Sequence, residues 1–310
     1  MAVKRVPLKL KKGDTIAITA PARKVSKDEL QNACTVFEQW GLKVLLHPKL
    51  FSECNQFAGE DSIRTEVFND YLKNTDVKAI IAARGGFGSV RIIDRIDFSL
   101  LEKYPKWIIG YSDITVFHSH INRNFGLATI HATMPINMQP HNIDIESVDS
   151  LQKILMESEE LNYTCKLHTL NRVGEAEGEL VGGNLSVLYS LLGSSSDINT
   201  KGKILFIEDL DEYLYHIDRM IQALKRADKL SHIQALIVGG MSDMKDNAIP
   251  FGKSAEEIIK DAVAEYTYPV IFNFPAGHLS VNKALLFGGN YTIKCTTEQA
   301  SLSLKPEILY

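Results

Sequence analysis

A serine stands where a short apolar segment gives way to a helical pattern. The apolar run 107–110 is followed by Tyr111, Ser112 and Asp113. A serine on such a turn is presented at the carboxyl edge of a sheet, and the amide of Asp113 then points to where an oxyanion would form. Serine and aspartate are also common helix caps, and Ile114 replaces the last glycine of the G-x-S-x-G pattern. From spacing alone, Ser112 is therefore more readily interpreted as a helix cap than as a nucleophile.

A glycine-rich segment follows another apolar run. Residues 84–88 read Arg-Gly-Gly-Phe-Gly. Consecutive glycines let a ligand approach the backbone closely, and their amides can bind an anion. The segment lacks the Lys-Ser/Thr pair of a Walker A loop, and Arg91 stands where G-x-G-x-x-G requires its last glycine. The pattern is equally compatible with an ordinary turn and with a loop that binds a phosphate or an oxyanion.

An acidic pair and a histidine also follow apolar runs. Glu208 and Asp209 end the run that begins near residue 203, and His278 follows the turn 275–277. Adjacent acids can orient a histidine, bind a metal or cap a helix. A histidine on a turn can serve as a general base near neutral pH. Considered separately, Glu208 and Asp209 are more simply interpreted as helix caps, and His278 as a structural histidine.

Three further histidines are weaker candidates for a catalytic or metal-binding role. His118 and His120 stand two residues apart on a predicted helix, so they face different sides and cannot share a metal ion. His131 ends a short apolar segment and could border the same sheet edge as Ser112. We expect His131 to be a packing residue, and we expect no metal site.

Apolar runs alternate with amphipathic segments along the first half of the chain. Strands are predicted at 15–21, 42–46, 77–83 and 107–110, and helices at 27–40, 62–72, 89–96 and 113–124. This alternation is typical of a parallel sheet covered by helices, in which ligands collect at the carboxyl ends of the strands. The fold class is therefore α/β.

The pattern changes after about residue 135. We predict an N-terminal domain over 1–140, a linker over 141–172 and a smaller C-terminal domain of mixed β/α structure over 173–310. In the last of these, helices are predicted at 185–192, 213–230 and 255–266, and strands at 203–207, 235–238, 269–274, 283–287 and 291–296. The Gly-rich stretch 174–184 precedes them.

Composition excludes several classes of protein. The 310 residues are 45% hydrophobic and 23% charged, which is typical of a folded globular protein and not of a disordered or fibrous one. The net charge of −4 leaves no broad electrostatic footprint for nucleic acid.

The cysteines and the apolar runs indicate the compartment. The four cysteines form no Cys-x-x-Cys motif, so neither a zinc ribbon nor a disulfide scaffold is indicated. The N-terminal segment lacks an apolar run of signal-peptide length, and no stretch approaches the roughly 18 apolar residues of a membrane span. We expect a cytoplasmic protein without a membrane partner.

Taken together, six short motifs resemble the LD-carboxypeptidase family of serine peptidases, the muramoyltetrapeptide carboxypeptidases. They occur in the family's order as Arg84-Gly-Gly-Phe-Gly88, Gly110-Tyr-Ser-Asp113, Gly182-Gly-Asn184, Ile207-Glu-Asp209, Ile217-Asp-Arg219 and Gly277-His278. The resemblance runs through most of the chain. No single motif is decisive, whereas six in order at compatible spacing are much more specific.

The resemblance implies a set of site residues. Ser112 would be the nucleophile, His278 the general base, and Glu208 the acid that orients this base. The amides of Gly86 and Asp113 would be the oxyanion donors. The nucleophile then belongs to the first domain, while the acid and the base belong to the second. Neither a metal nor an organic cofactor is implied.

The resemblance also implies a substrate and an assembly. The substrate is a murein tetrapeptide, from which the enzyme releases the terminal D-alanine in the cytoplasm during peptidoglycan recycling. Arg84 is a candidate for holding the terminal carboxylate. The implied fold is a Rossmann-like or flavodoxin-like parallel sheet followed by the smaller mixed domain, commonly in a homodimer. The family's usual His-Gly-Pro is His131-Ala-Thr133 here, and Phe287 replaces a late proline, so the pocket wall can differ.

Two alternatives stay open. One is a microcin-immunity-like hydrolase that uses the same triad on peptidyl-adenylate amides. Such an enzyme needs a loop bearing an aromatic side chain for the nucleobase, and no insertion is evident near Gly182 or Glu208. The other is a non-catalytic α/β protein that binds a small anion in its cleft. In that case Ser112→Ala would leave ligand binding intact.

Overall fold

A parallel sheet with helices on both faces occupies the first half of the chain. The structure, a computed structural model, describes residues 5–157 and 161–305. The strands are β1 (Thr15–Thr19), β2 (Lys43–Leu46), β3 (Val77–Ala82), β4 (Trp107–Gly110) and β5 (Thr129–His131). The helices are α1 (Asp28–Gln39), α2 (Asp61–Lys73), α3 (Leu100–Lys103) and α4 (Thr115–Phe125). The strands lie in the order β5-β4-β3-β1-β2, all parallel, which confirms the predicted α/β sheet.

The strands are apolar throughout because both faces of the sheet are covered. Successive residues of a strand point to opposite faces. In β1, Ile16 and Ile18 belong to the same apolar cluster as Leu30 of α1, whereas Ala17 belongs to a second cluster, which contains Phe68 of α2. Each of these side chains is at most 1% exposed. A continuous apolar run, and not an alternating one, is what a strand buried on both faces requires.

One predicted helix has a different form. The segment 89–96 consists of two 3-10 turns, Ser89–Arg91 and Ile93–Arg95. Ile92, between them, has φ −115°, which lies outside the α-helical range and separates the turns.

A mixed sheet occupies the second half. After α5 (Ile145–Met156) come β6 (Asn162–Cys165), β7 (Gly174–Asn184), α6 (Leu185–Ser190), β8 (Ile204–Leu210), α7 (Leu214–Arg226), β9 (Ala235–Ser242), α8 (Ala255–Ala262) and β10 (Val270–Ile271). The remaining strands are β11 (Leu285–Phe287), β12 (Asn290–Cys295) and β13 (Ala300–Leu304). The sheet order is β10-β9-β8-β7-β12-β13-β6, in which β7 to β10 are parallel and the others antiparallel. This is the predicted mixed β/α structure.

The Gly-rich stretch is a strand, β7, that joins the two parts of this sheet. Its first half pairs antiparallel with β12, from Gly174 to Glu179, and its second half pairs parallel with β8, from Leu180 to Asn184. The parallel half ends at the same edge as Glu208, because Asn184 is the register partner of Glu208. The sequence predicts no secondary structure for this Gly-rich stretch, which in the structure is a strand of eleven residues.

One strand of the C-terminal segment returns to the first sheet. β11 pairs antiparallel with β5, with Leu285 opposite His131 and Phe287 opposite Thr129. The two halves also share one apolar cluster, to which Ile16 and Phe206 both contribute. The predicted linker 141–172 contains α5 and β6, so part of it is regular structure.

Among the helices of residues 5–157 and 161–305, none combines the length and the apolar character needed to cross a membrane.

Candidate active site

Ser112 occupies a strained turn between β4 and α4. Its φ is +64°, in the left-handed region, whereas Tyr111 before it is extended at φ −144° and ψ −172°. A non-glycine residue in this region costs roughly 1 kcal/mol or more, and such strain clusters at functional sites. The side chain is partly exposed. No side-chain hydrogen bond caps the 3-10 turn Ser112–Ile114 or α4, so the capping interpretation that spacing favoured is wrong for Ser112.

The glycine-rich loop lies directly against this serine. A Cβ on Gly85 would stand 2.8 Å from the Ser112 Cβ and 2.9 Å from its Oγ, so no side chain fits there. Gly86 follows with φ +116°, a conformation that favours glycine. Within the described residues, the amides of Gly86 and Asp113 donate to no protein oxygen. Both amides are therefore available to a substrate oxygen near Ser112.

The Asp113 side chain holds the loop and the turn together. Its Oδ2 accepts the backbone amide of Ser89 at 2.9 Å, and the residue is 3% exposed. Burial raises the pKa of this carboxyl, although hydrogen bonds from Ser89 and the charge of Arg64 act in the opposite direction. The side chain therefore has a structural role, and the backbone amide is the part of Asp113 that can contact a substrate.

His278 and the buried Glu208 form an acid–base pair. The Nδ1 atom of His278 lies 2.6 Å from Glu208 Oε2, and the His278 amide donates to the same oxygen at 3.1 Å. Glu208 is fully buried at the end of β8. A Cβ on Gly277 would stand 2.6 Å from Glu208 Cγ, so only glycine, here at φ +98°, lets the turn approach the acid.

The electrostatics of the pair suit a general base. Burial lowers the pKa of His278, but the hydrogen bond and the charge of Glu208, with a contribution from Asp209, outweigh it and raise the pKa above its ordinary value. Because Nδ1 donates to the carboxylate, Nε2 is the basic nitrogen of the neutral ring. The Nε2 atom of His278 can therefore accept a proton from a hydroxyl group.

Asp209 supports the neighbouring turn. Its carboxylate accepts hydrogen bonds from Asn184 Nδ2 at 2.9 Å and from the Ser186 amide at 2.8 Å. Burial and the charge of Glu208 raise the pKa of Asp209 to about 7. The two adjacent acids therefore have different roles: Glu208 contacts His278, and Asp209 stabilises the turn between β7 and α6.

Two contacts bring the serine turn and the acid–base pair to one place. The Tyr111 ring packs against the His278 ring at a centroid distance of 4.8 Å. Thr115 Oγ1, at the start of α4, accepts the Asn184 amide at 3.0 Å. A side chain on Gly183 would collide with Thr115, at 2.6 Å from its Cγ2. Sequence spacing does not reveal Thr115, because its partner is distant in the chain.

A cavity of about 220 Å³ lies between the segments that follow β4 and β10. Tyr111 and Leu279, the neighbours of Ser112 and His278 in the chain, line it together with polar groups that include Thr133, Asn137 and Asn282. The Tyr111 hydroxyl donates to Asn137 Oδ1 at 3.2 Å. The cavity gives a small polar ligand room against residues that adjoin the serine and the histidine in the chain.

Arg84 is already engaged within the protein. Its Nη1 lies 3.4 Å from the Lys24 carbonyl oxygen and 3.6 Å from a carboxylate oxygen of Glu29. A substrate carboxylate would compete with both contacts.

His131 lies behind the site as a packing residue. It is fully buried between the rings of Tyr111, Phe206 and Phe287, at centroid distances of 5.8, 5.1 and 5.4 Å. Burial lowers the pKa of His131 well below its ordinary value. Phe287 fills space against this ring. Within the part of the chain that the structure describes, no three side chains are grouped to hold a metal ion.

Comparison with known proteins identifies the family. The model of the LD-carboxypeptidase N-terminal domain matches residues 16–132, and that of the LD-carboxypeptidase C-terminal domain matches residues 177–293. The chain is 37% identical over 304 residues to the probable murein peptide carboxypeptidase of Bacillus subtilis, covering 95% of this chain and 93% of that protein.

Solved structures are similar over the whole chain. The muramoyltetrapeptide carboxypeptidase of Oxalobacter formigenes has a TM-score of 0.86 at 26% identity, over 96% of this chain and 100% of that chain. The microcin C7 self immunity protein MccF has a TM-score of 0.86 at 23% identity, over 98% and 99%, a likeness of fold alone. With both family models and a relative at 37% identity in agreement, this protein is a serine carboxypeptidase of the LD-carboxypeptidase family.

Proposed function

We propose that this protein is an L,D-carboxypeptidase that releases the terminal D-alanine of a murein tetrapeptide, with Ser112, His278 and Glu208 as its triad. The observation that carries the proposal is the 2.6 Å contact between His278 and the buried Glu208, beside a strained serine turn. The names of the Bacillus and Oxalobacter relatives support murein peptide as the substrate class.

In the first step Ser112 Oγ attacks the peptide carbonyl carbon while Nε2 of His278 takes its proton. Glu208 holds the ring through Nδ1 and stabilises the imidazolium that forms. Because Glu208 is fully buried, its charge acts on the ring with little screening by water.

The carbonyl oxygen becomes negatively charged in the tetrahedral intermediate. The amides of Gly86 and Asp113 would donate to it, and each well-placed donor contributes roughly 3 kcal/mol. Because Gly85 has no side chain, this loop can approach Ser112 closely; a Cβ on Gly85 would stand 2.9 Å from the Ser112 Oγ.

Collapse of the intermediate breaks the peptide bond. The proton on His278 passes to the departing amine, and D-alanine leaves while the remaining peptide stays as an ester on Ser112. Water, deprotonated by His278, then attacks the ester and restores the serine. The balance of the two steps is one water consumed for each D-alanine released.

The proposal extends to domains and assembly. Residues 1–140 would carry the nucleophile and 173–310 the acid and the base, connected by 141–172, so catalysis depends on how these parts pack together. We also propose that the protein acts in the cytoplasm and as a homodimer, properties which the family resemblance implies.

Release of D-alanine from synthetic L-Ala-γ-D-Glu-diamino acid-D-Ala tests the proposal. Wild type should release D-alanine, and Ser112→Ala should lose at least about 10³-fold in rate while its circular dichroism is unchanged. Release by both proteins would remove Ser112 from the mechanism. Release by neither would turn the assay to peptidyl-adenylate amides, the microcin-immunity alternative, and then to anion binding.

A further inference from the structure

Arg23 lies across the glycine loop next to the candidate nucleophile. It follows β1 in the chain, and its aliphatic stem covers the side of Gly86 where a side chain would stand. A Cβ on Gly86 would be 2.6 Å from Arg23 Cγ and closer still to Cδ. Gly86 therefore has to be glycine for the arginine to lie there.

The strand order explains how a residue after β1 reaches this place. β3 lies between β1 and β4, so the loop after β3 contacts the segments that follow both neighbours. In this loop, Gly85 lies against Ser112, and the next residue, Gly86, lies against the stem of Arg23. The stem of Arg23 therefore covers Gly86, and Gly85, the residue before it, lies so close to Ser112 that a side chain there would collide with the serine.

The charge of Arg23 has no acidic partner within residues 5–157 and 161–305. Its neighbours are paired, since Lys24 binds Glu53 at 2.6 Å and Arg84 lies near Glu29. Arg23 is exposed, and none of the described carboxylates lies within ion-pairing distance of it. An exposed cation without a described acid partner, whose stem covers the loop next to Ser112, is available to an anionic ligand.

We propose that Arg23 binds the terminal carboxylate of the residue that is released. This inference rests on the proposed function and adds the group that recognises the chain end. In a carboxypeptidase substrate the terminal carboxylate carbon lies within about 4 Å of the scissile carbonyl carbon, because a single Cα separates the two groups beyond the peptide nitrogen. Guanidinium binds carboxylate through two parallel hydrogen bonds, which fixes direction as well as charge.

This assignment favours Arg23 over Arg84 for a physical reason. Arg84 would have to give up its contacts with Glu29 and with the Lys24 carbonyl, whereas Arg23 has no such ion pair to break. The expected consequence is selectivity for peptides that end in a free carboxylate near Ser112, and poor hydrolysis of amidated or extended chains.

The test compares two substrates, the tetrapeptide with a free terminal carboxylate and the same peptide with a terminal amide, using wild type, Arg23→Gln and Arg23→Lys. Arg23→Gln should lose about 10- to 100-fold in kcat/KM on the free acid, mostly through KM, because a charge-assisted hydrogen bond is removed. Its kcat/KM on the amide should be within about twofold of wild type, and Arg23→Lys should keep part of the activity on the free acid. Lys24→Gln, which removes the adjacent charge, is the matched control and should behave as wild type on both substrates.

Results of three kinds would overturn the inference. Equal losses on the free acid and the amide would show that Arg23 acts on the fold or on the loop, and not on the carboxylate. An unchanged Arg23→Gln, or selectivity that disappears with Arg84→Gln instead, would assign the carboxylate elsewhere. A wild type that releases no D-alanine would overturn the proposed function and this inference with it, whereas the first two results leave the proposed function standing.

Discussion

The Nδ1 atom of His278 lies 2.6 Å from Oε2 of the fully buried Glu208, and the backbone amide of the same histidine donates to that oxygen. One carboxylate oxygen therefore holds both the ring and the backbone of the turn. The arrangement leaves the imidazole one orientation, with Nε2 as its free basic atom.

Replacement of Glu208 by glutamine should strongly reduce the rate. Glutamine has nearly the same shape, but it is uncharged and cannot stabilise the imidazolium, so kcat should fall by about 10³- to 10⁴-fold. Initial rates of D-alanine release measure the effect. Asp211→Asn, a change at an exposed acid three residues further on, is the control. Activity of Glu208→Gln within tenfold of wild type would contradict the role of Glu208.

The pH profile of kcat/KM should fall on the acid side as His278 becomes protonated. Burial lowers the pKa of His278, but Glu208 raises it by a larger amount, so the acid limb should lie above the ordinary histidine value of about 6.5. In Glu208→Gln the limb should move to lower pH. A profile that is flat between pH 5 and 8, or a limb that does not move, would be inconsistent with His278 as the base.

The same pair makes a pH-dependent contribution to stability. The folded pKa of His278 is raised, so the protonated ring is favoured in the folded state. This contribution is fully present below the unfolded pKa of about 6.5 and is lost as the pH rises through the folded value. Urea unfolding at several pH values measures it, and His278→Gln should remove this part of the pH dependence.

The strain at Ser112 predicts different stabilities for two inactive variants. Glycine adopts φ +64° without steric cost and alanine does not, so Ser112→Gly should be about 1 kcal/mol more stable to unfolding than Ser112→Ala. Both variants should lack activity. Urea denaturation gives the two free energies. Equal values would mean that the turn relaxes once the hydroxyl is removed.

Thr115→Val should weaken the contact between the serine turn and β7. The change removes the acceptor of the Asn184 amide at a buried position and should destabilise the protein by about 1–3 kcal/mol. Activity should fall as well, because the turn and the acid–base pair are positioned by this contact. Thr65→Val is the matched control, since its hydroxyl bonds only to Asp61 within α2. A Thr115→Val protein with wild-type stability would refute the role of Thr115.

The sequence predicts much of the fold because the relevant signals are local. Buried strands such as β1 and β4 are short apolar runs, and α1 places its apolar residues three or four apart. The nature of β7 was not predictable in this way, because glycines that resemble a turn become a strand only when β8 and β12 supply its hydrogen bonds. The return of β11 to the first sheet likewise depends on pairing with β5.

By itself, the sequence determined the α/β class, the short motifs and the residue types that could act together, because each depends on residues near one another in the chain. Only the tertiary structure decided that Glu208 meets His278, 70 residues away, and that Ser112 has a positive φ and caps no helix. It also decided that Arg84 is engaged while Arg23 has no described acid partner. Distances between side chains on different strands depend on sheet order and on glycines that allow close approach, and neither is encoded by spacing along the chain.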